Sequence, residues 1–558
     1  MVAAGHYLAA QAAFQILEAG GNAVDAGVCG GIALGVLQSE YVGFAGVAPI
    51  MIRPAETGEV FTISGLGWWP KAASLDVFHR DHDGRIPPGI LRTLVPAAPD
   101  AWITALERWG TMSFGDVAAA AVQFARDGFP MPVLTSRIIA AAEDNYRRWP
   151  ENTKIYLPGG APPQPGDLFV QSDLGRTIQY LIDEEAAAKG SRIAGLQAVR
   201  NAFYRGDIAQ TLARYHAENG GWLTLEDLAE FRVGLEAPLS VRFGDLQVFT
   251  CGPWCQGPLL AQTLRLLDGI DLKSLGQNSP EYIHTIVEAF KLAYADRHAY
   301  VGDPRFVDVP IEGMLDDAYI ERRRALVDPC AATPGMPERG RPDGAGWAGN
   351  ISPQPTAPAD EISQLDTSYI SVVDAEGTVF SATPSDGSAA GPVIPGLGFV
   401  ASTRGAQSST DSALPSVLAP GKRPRLTPNP AIATRGDRWI MPFGSPGNDV
   451  QPQAMVQFLL NLTAFGMTPQ DAVDQPRFAT FSYPRSSAPH PYSPGLMNLE
   501  GRFDGETAAR LRAMGHDVEM WPDWEYKAGA VCAIVHDREA GTMEGGSDPR
   551  RPTAVVGW

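Results

Sequence analysis

A break in patterning limits how this chain can fold. Between residues 331 and 358 proline, glycine and alanine dominate and hydrophobic periodicity disappears, as in a linker or a long surface loop. Before the break the sequence reads mainly as helix; after it, mainly as strand. Helices are expected over 9–19, 22–37, 99–109, 114–127, 174–184, 208–219, 258–267 and 280–298, with one early strand over 60–64. The Gly20-Gly21 pair stops the first helix and Asn22 opens the second. Strands are expected over 369–374, 379–383, 398–401, 438–443 and 530–536. Length alone, 558 residues, suggests roughly three or four domains.

Composition excludes several classes. With 44% hydrophobic and 19% charged residues the chain is globular rather than disordered. A net charge of −19 and no Lys/Arg run leave no basic footprint for a nucleic acid. The most apolar early stretch, 26–37, is too short to span a bilayer, so no membrane partner is expected. The start lacks a basic leader and leads into a helix, which suits the cytoplasm; a periplasmic site follows instead if a signal peptide has been removed. Five scattered cysteines make no disulfide framework, and Cys251 and Cys255 are one residue too far apart for a redox or zinc pair. His79 and His82, in an acidic turn, read as a surface pair rather than a metal site. There is no G-x-S-x-G, G-K-[ST], H-E-x-x-H or C-x-x-C motif, and Gly65-Leu66-Gly67 and Gly396-Leu397-Gly398 lack the third glycine of a dinucleotide loop.

Two features carry chemistry. The runs Thr367 to Asp374 and Thr378 to Thr383 flank Ala375-Glu376-Gly377, a three-residue hairpin loop with glycine at its left-handed position. Pairing Asp374 with Thr378 sets a register in which Thr367 lies opposite Ser385, one hydroxyl facing another at the strand ends. The second feature is the turn Gly444-Ser445-Pro446-Gly447-Asn448-Asp449 between an expected strand and a helix over 451–462, with Asp449 as its candidate N-cap. Such a turn presents backbone N–H groups that bind an anion or oxyanion.

These segments resemble the γ-glutamyltransferase family of N-terminal-nucleophile hydrolases, in order and over nearly the whole chain. The resemblance is carried by Leu17-Glu18-Ala19-Gly20-Gly21-Asn22-Ala23-Val24-Asp25-Ala26, Gly220-Gly221-Trp222-Leu223-Thr224, Glu288-Ala289-Phe290-Lys291-Leu292-Ala293-Tyr294-Ala295-Asp296-Arg297, Thr367 to Asp374 and Leu499-Glu500-Gly501-Arg502-Phe503. It implies an α/β fold, a four-layer αββα sandwich with two stacked antiparallel sheets. It also implies a precursor that cuts itself between Asp366 and Thr367, giving a large subunit, 1–366, and a small one, 367–558. Thr367 would then be nucleophile and, through its freed α-amine, base. Ser385 would orient the amine, and Gly447 and Asn448 would supply the oxyanion hole, with Asn448 standing where the family has glycine. No cofactor or metal is implied. The expected partners are a small-molecule amide or γ-glutamyl-type substrate and water or an amine as acyl acceptor. The expected assembly is a heterodimer of the cleaved subunits, itself free to pair.

The substrate-facing positions depart from the family. Leu66 stands where an arginine grips the glutamate carboxylate, Leu426-Thr427 replace paired serines, and Ser402-Thr403-Arg404 replace the stretch that reaches the α-amine. An arginine suits a carboxylate or carbonyl, not an ammonium. Arg404, Thr427, Leu66 and Asp386 therefore form the expected substrate-binding set, and the pattern favours a branch that hydrolyses other amides, such as oxamate-type amidohydrolases. The alternatives are a true γ-glutamyl transferase or glutathione hydrolase using Arg404 or Arg425 for the carboxylate, and a non-catalytic relative. Trp68 and Trp69 are candidate walls of a more apolar pocket.

Overall fold

The computed structural model describes residues 1–346 and 367–558. Two antiparallel sheets dominate. The first runs Ala554–Val556, Val2–Ala4, Ile370–Val373, Val379–Ala382, Ile50–Arg53, Phe61–Ile63, Leu235–Glu236. The second runs Thr542–Ser547, Cys532–Asp537, Trp439–Gly444, Ala431–Arg435, Leu246–Thr250, Leu239–Phe243.

Strand alternation explains the layering. Side chains at successive strand positions point to opposite faces. In the first sheet Val2, Ala4, Ile50, Ile52, Ile370, Val372, Phe380 and Ala382 share one core with the helices Tyr7–Glu18, Ala23–Leu37, Ala98–Trp109 and Phe114–Asp127. Their neighbours Ala3, Met51, Val373 and Val379 face the other way, onto Ile432, Ile440, Cys532 and Ile534 of the second sheet. The second sheet's remaining face, with Ala433, Met441, Phe443 and Ala533, packs on the helices Gly257–Leu267, Pro280–Tyr300 and Gln451–Thr463. Three apolar layers thus separate helix, sheet, sheet and helix, and the αββα sandwich follows. Segments from both sides of residues 347–366 supply strands to each sheet, so the chain is not a string of three or four domains.

The expected helices all form, with ends shifted by up to three residues. Ala23–Leu37 begins as its sequence dictates: the Asn22 side chain accepts the N–H groups of Val24 and Asp25, and Asp25 returns the bond to the Asn22 N–H. Three expectations need correction. Residues 398–401 form no strand, only isolated bridges from Val400 and Ala401 to Val393 and Ala45. The chain opens with the strand Val2–Ala4, ahead of the first helix. Asp449 does not cap the helix Gln451–Thr463; Val450 stands at the cap and Asp449 is drawn elsewhere. Residues 331–346 carry neither helix nor strand, as their composition implies, and the rest of the loose tract, with Asp366, lies outside the described residues. Among the described residues no helix is long and apolar enough to cross a membrane.

The central helix Ala23–Leu37 sits very close to the first sheet. A Cβ on Gly27 would lie 2.1 Å from the Phe380 ring. Glycine costs a helix interior roughly 1 kcal/mol against alanine, so close approach is the reason for it here. Gly27→Ala should therefore destabilise the protein by about 1–3 kcal/mol, read as a lower midpoint of thermal or urea unfolding. Gly505→Ala, at a helix position with open space around it, should not lower the midpoint.

Candidate active site

The hairpin register places the site. Ile370–Val373 pairs with Val379–Ala382 so that Ala382 faces Ile370, and the same register continues to an isolated bridge between Thr367 and Ser385. Gly377 closes the loop at φ 90°. Thr367 Oγ1 and Ser385 Oγ are 2.9 Å apart and both residues are buried. Thr367 shares a strand face with Tyr369 and Val373, so its side chain points between the sheets.

The second sheet brings the Gly-rich turn to the same place. Gly444 ends its strand against the Tyr369 ring, where a Cβ would lie 2.3 Å from the ring edge. The turn that follows holds Gly447 at φ 119° and Asn448 at φ 52°. Asparagine enters the left-handed region at lower steric cost than most side-chain-bearing residues. This is why the turn survives a non-glycine there. Gln451, at the start of the next helix, then donates from Nε2 to Thr367 Oγ1 at 3.1 Å. The Thr367 hydroxyl is thus held by Ser385 in the first sheet and by Gln451 behind the second, while Arg551 Nη1 donates to the Thr367 carbonyl at 3.4 Å.

A buried ionic network backs the turn. Asp449 accepts from Arg297 Nη1 at 2.5 Å, from Ser486 Oγ at 2.6 Å and from Ser486 N–H at 2.8 Å. Burial acts to raise the Asp449 carboxyl; the Arg297 charge and the Ser486 donors outweigh it and hold the group below the usual carboxylate range. Gln256 links this network to the turn, accepting from Arg297 and donating to the carbonyls of Asn448 and Thr427.

The positions expected to bind substrate are buried and mostly committed to other partners. Asp386, at φ 117°, accepts from Ser402 Oγ at 2.6 Å, from Thr403 Oγ1 at 2.6 Å and from the Thr403 N–H. It thereby fixes Ser402 and Thr403, which lead into the 3-10 turn Arg404–Gln407. Arg404 Nη2 in turn donates to Ser385 Oγ. Thr427 Oγ1 accepts from Gln407 Nε2 at 2.8 Å. Leu66 and Leu426 lie together in an apolar cluster with Trp69 and Trp254. Trp69 is core, its indole N–H donating to Ser408 Oγ at 2.9 Å, whereas Trp68 is half-buried under the Arg305 guanidinium. Arg425 is buried, and among the described residues its one hydrogen bond goes to the Arg297 carbonyl at 3.2 Å. Burial first, then the Arg297 charge, push its pKa down to about 9, so it remains a cation at neutral pH.

The chain matches the gamma-glutamyltranspeptidase family over residues 9–558. It belongs to that family. The Glutathione hydrolase-like YwrD proenzyme of Bacillus subtilis (strain 168) is 31% identical, over 100% of this chain and 98% of its own length. The Oxamate amidohydrolase proenzyme of Klebsiella pneumoniae is 30% identical, over 100% of this chain and 98% of its own. The crystal structure of cephalosporin acylase from Bacillus halodurans superposes with a TM-score of 0.86 at 27% identity, over 100% of this chain and 95% of that one. This gamma-glutamyltranspeptidase-family chain is therefore an enzyme of the amide-hydrolysing, proenzyme type, and it lies with the amidohydrolase-like relatives.

Sequence reasoning alone did not single out Gln451, Arg551, Gln256 or the Arg297–Asp449 pair. Gln451 left one signal, a polar side chain in the first turn after a Gly-rich loop; Arg551, in a C-terminal loop, left none. Among the described residues one group of three side chains is spaced for a metal, His284, Glu288 and His516, and it does not touch Thr367. The family member's turn is open to test. Asn448→Gly should keep activity within a few-fold, whereas Asn448→Val, which disfavours positive φ, should lose most of it. Steady-state kinetics on folded protein checks both.

Proposed function

We propose that this enzyme is cut between Asp366 and Thr367 and that Thr367 then attacks an amide carbonyl to form an acyl-enzyme, which water or an amine resolves. The observation that carries the proposal is the seat of the Thr367 hydroxyl, between Ser385 Oγ and Gln451 Nε2 and beside the Gly447–Asn448 turn. An α-amine has a pKa of about 8, so a useful fraction of a freed Thr367 amine is neutral near pH 7 and can take the hydroxyl proton. In this reading Ser385, held by Arg404, orients that amine, and the N–H groups of Gly447 and Asn448 receive the oxyanion. The two products are the large subunit, 1–366, and the small subunit, 367–558, and both are needed because each contributes to both sheets.

The residues at the expected substrate-binding positions support an amide other than a γ-glutamyl one. Leu66 and Leu426 are apolar, Thr427 is bonded to Gln407, and Asp386 is spent on Ser402 and Thr403, which leaves this set without a grip for an α-ammonium. Arg425 is a buried cation without a carboxylate hydrogen-bonded to it among the described residues, and a substrate carboxylate would compensate it. The favoured substrate is therefore a small amide whose acyl part bears a carboxylate and no ammonium. Oxamate, named for the Klebsiella relative, has that chemistry.

The wild-type chain should run on a denaturing gel as fragments of about 39 and 20 kDa, in proportion to the residues on either side of the cut. Thr367→Ala should stay intact and inactive, and Thr367→Ser should retain part of both reactions; an active, uncut Thr367→Ala protein would refute the proposal. On substrates, carboxylate-bearing amides should be cleaved faster than a γ-glutamyl anilide. Arg425→Met should raise KM for the former by about tenfold or more and leave neutral amides unaffected. Burial and the Arg297 charge outweigh the Asp449 carboxylate at Arg425, so replacing this cation by an apolar side chain should not lower the unfolding midpoint.

A further inference from the structure

Away from Thr367, three metal-ligating side chains converge in the interior. His284 and Glu288 stand one turn apart on the helix Pro280–Tyr300, and His516 lies between the helix Gly505–Ala513 and the strand Asp517–Trp521. All three are buried, and their ligand atoms lie within 4.8 Å of one another. His284 is thirteen residues, roughly 20 Å of helix, from the Arg297 that backs the catalytic turn.

The hydrogen bonds orient the group as ligands. His284 Nε2 is 2.8 Å from the Asp328 carbonyl, which can only accept, so the ring proton is on Nε2 and the Nδ1 lone pair faces inward. A ring N–H donated to a backbone carbonyl is the usual outer support of a metal-bound histidine. His284 Nδ1 meets His516 Nε2 at 2.8 Å. Glu288 accepts from Lys291 Nζ at 2.7 Å and from the Thr333 N–H at 3.1 Å. A carboxylate has about four lone-pair sites, so these two bonds leave room for a third partner.

We propose that His284, Glu288 and His516 form a binding site for a divalent transition-metal cation of the zinc class. Two imidazoles and one carboxylate suit Zn2+, with water as fourth ligand, at bonds of about 2.0–2.1 Å. Binding moves the His516 ring proton from Nε2 to Nδ1, so that both facing nitrogens turn lone pairs to the ion; no proton is gained or lost. Small side-chain rotations close the 4.8 Å spread onto one centre. The site is structural in character. Asp328 and Thr333 bond to His284 and Glu288, and Ala332 N–H donates to the Met514 carbonyl at 2.7 Å. The ion would therefore tie residues 328–333, at the start of the loose tract, to the C-terminal part of the chain through His516.

The test uses the full protein as purified, stripped with a chelator and titrated with Zn2+ by calorimetry, with bound metal counted after dialysis. One Zn2+ per chain is expected, with a rise in the unfolding midpoint. His284→Ala and His516→Gln should each bind at least about tenfold more weakly and lose the rise, while the Thr367-dependent activity persists. No stoichiometric Zn2+ in the wild type, or the same binding in both folded variants, would overturn the proposal and leave the cluster a hydrogen-bonded histidine pair. If the variants do not fold, the wild type decides through anomalous diffraction at the zinc edge. A peak between His284 and His516 supports the site; a peak only elsewhere, such as at His79 and His82, overturns it.

Discussion

The contact between Thr367 and Ser385 at the open end of the central hairpin is the constraint on which the rest depends. Strand side chains alternate with a period of two, so a slip of one residue would turn Thr367 from the inter-sheet space to the helix-facing core. The register is held by Gly377 in the loop and by the apolar alternation of Ile370, Val372, Phe380 and Ala382 against the helical layer. Fold stability and the aim of the hydroxyl are thus set by the same side chains. The second sheet completes the site because Gly444 lets it reach Tyr369, two residues from Thr367.

The turn that leads to Gln451 is braced electrostatically. Its backbone passes through two left-handed residues, Gly447 and Asn448, which cost energy unless the surroundings impose them. Asp449 imposes them through Arg297 and Ser486, and Gln256 holds the Asn448 carbonyl. Breaking a buried pair of this kind costs about 3–5 kcal/mol, since the surviving charge is stranded. The oxyanion role proposed for Gly447 and Asn448 needs donors already in place when charge develops, and a turn braced this way would supply them without reorganisation.

Much of this was legible in the sequence, where the causes are local. The hairpin and its Thr367–Ser385 register follow from alternation and a glycine at the loop, and the helix Ala23–Leu37 from Asn22 and Asp25. The departures at Leu66, Leu426 and Arg404 were also readable as chemistry, and the structure places all three in the interior. What was not legible depends on distant partners. Val2–Ala4 is three residues long and exists because Ile370–Val373 and Ala554–Val556 flank it. Asp449 has the sequence context of an N-cap, yet Arg297, 152 positions away, takes its carboxylate. Gln451 reaches Thr367 across 84 positions and Arg551 across 184, separations at which no local pattern survives. His284 and His516 are 232 positions apart and likewise meet only in the fold.

The central claim is that one threonine, freed at its amine, does the chemistry. Intact-mass measurement of the denatured wild type, quenched during turnover of a slow amide substrate, tests it most directly. Two chains are expected, the smaller with the mass of residues 367–558, and an added acyl mass that maps to its first residue, Thr367. A single uncut chain that turns over the substrate, or an acyl group mapped to any other residue, would contradict it.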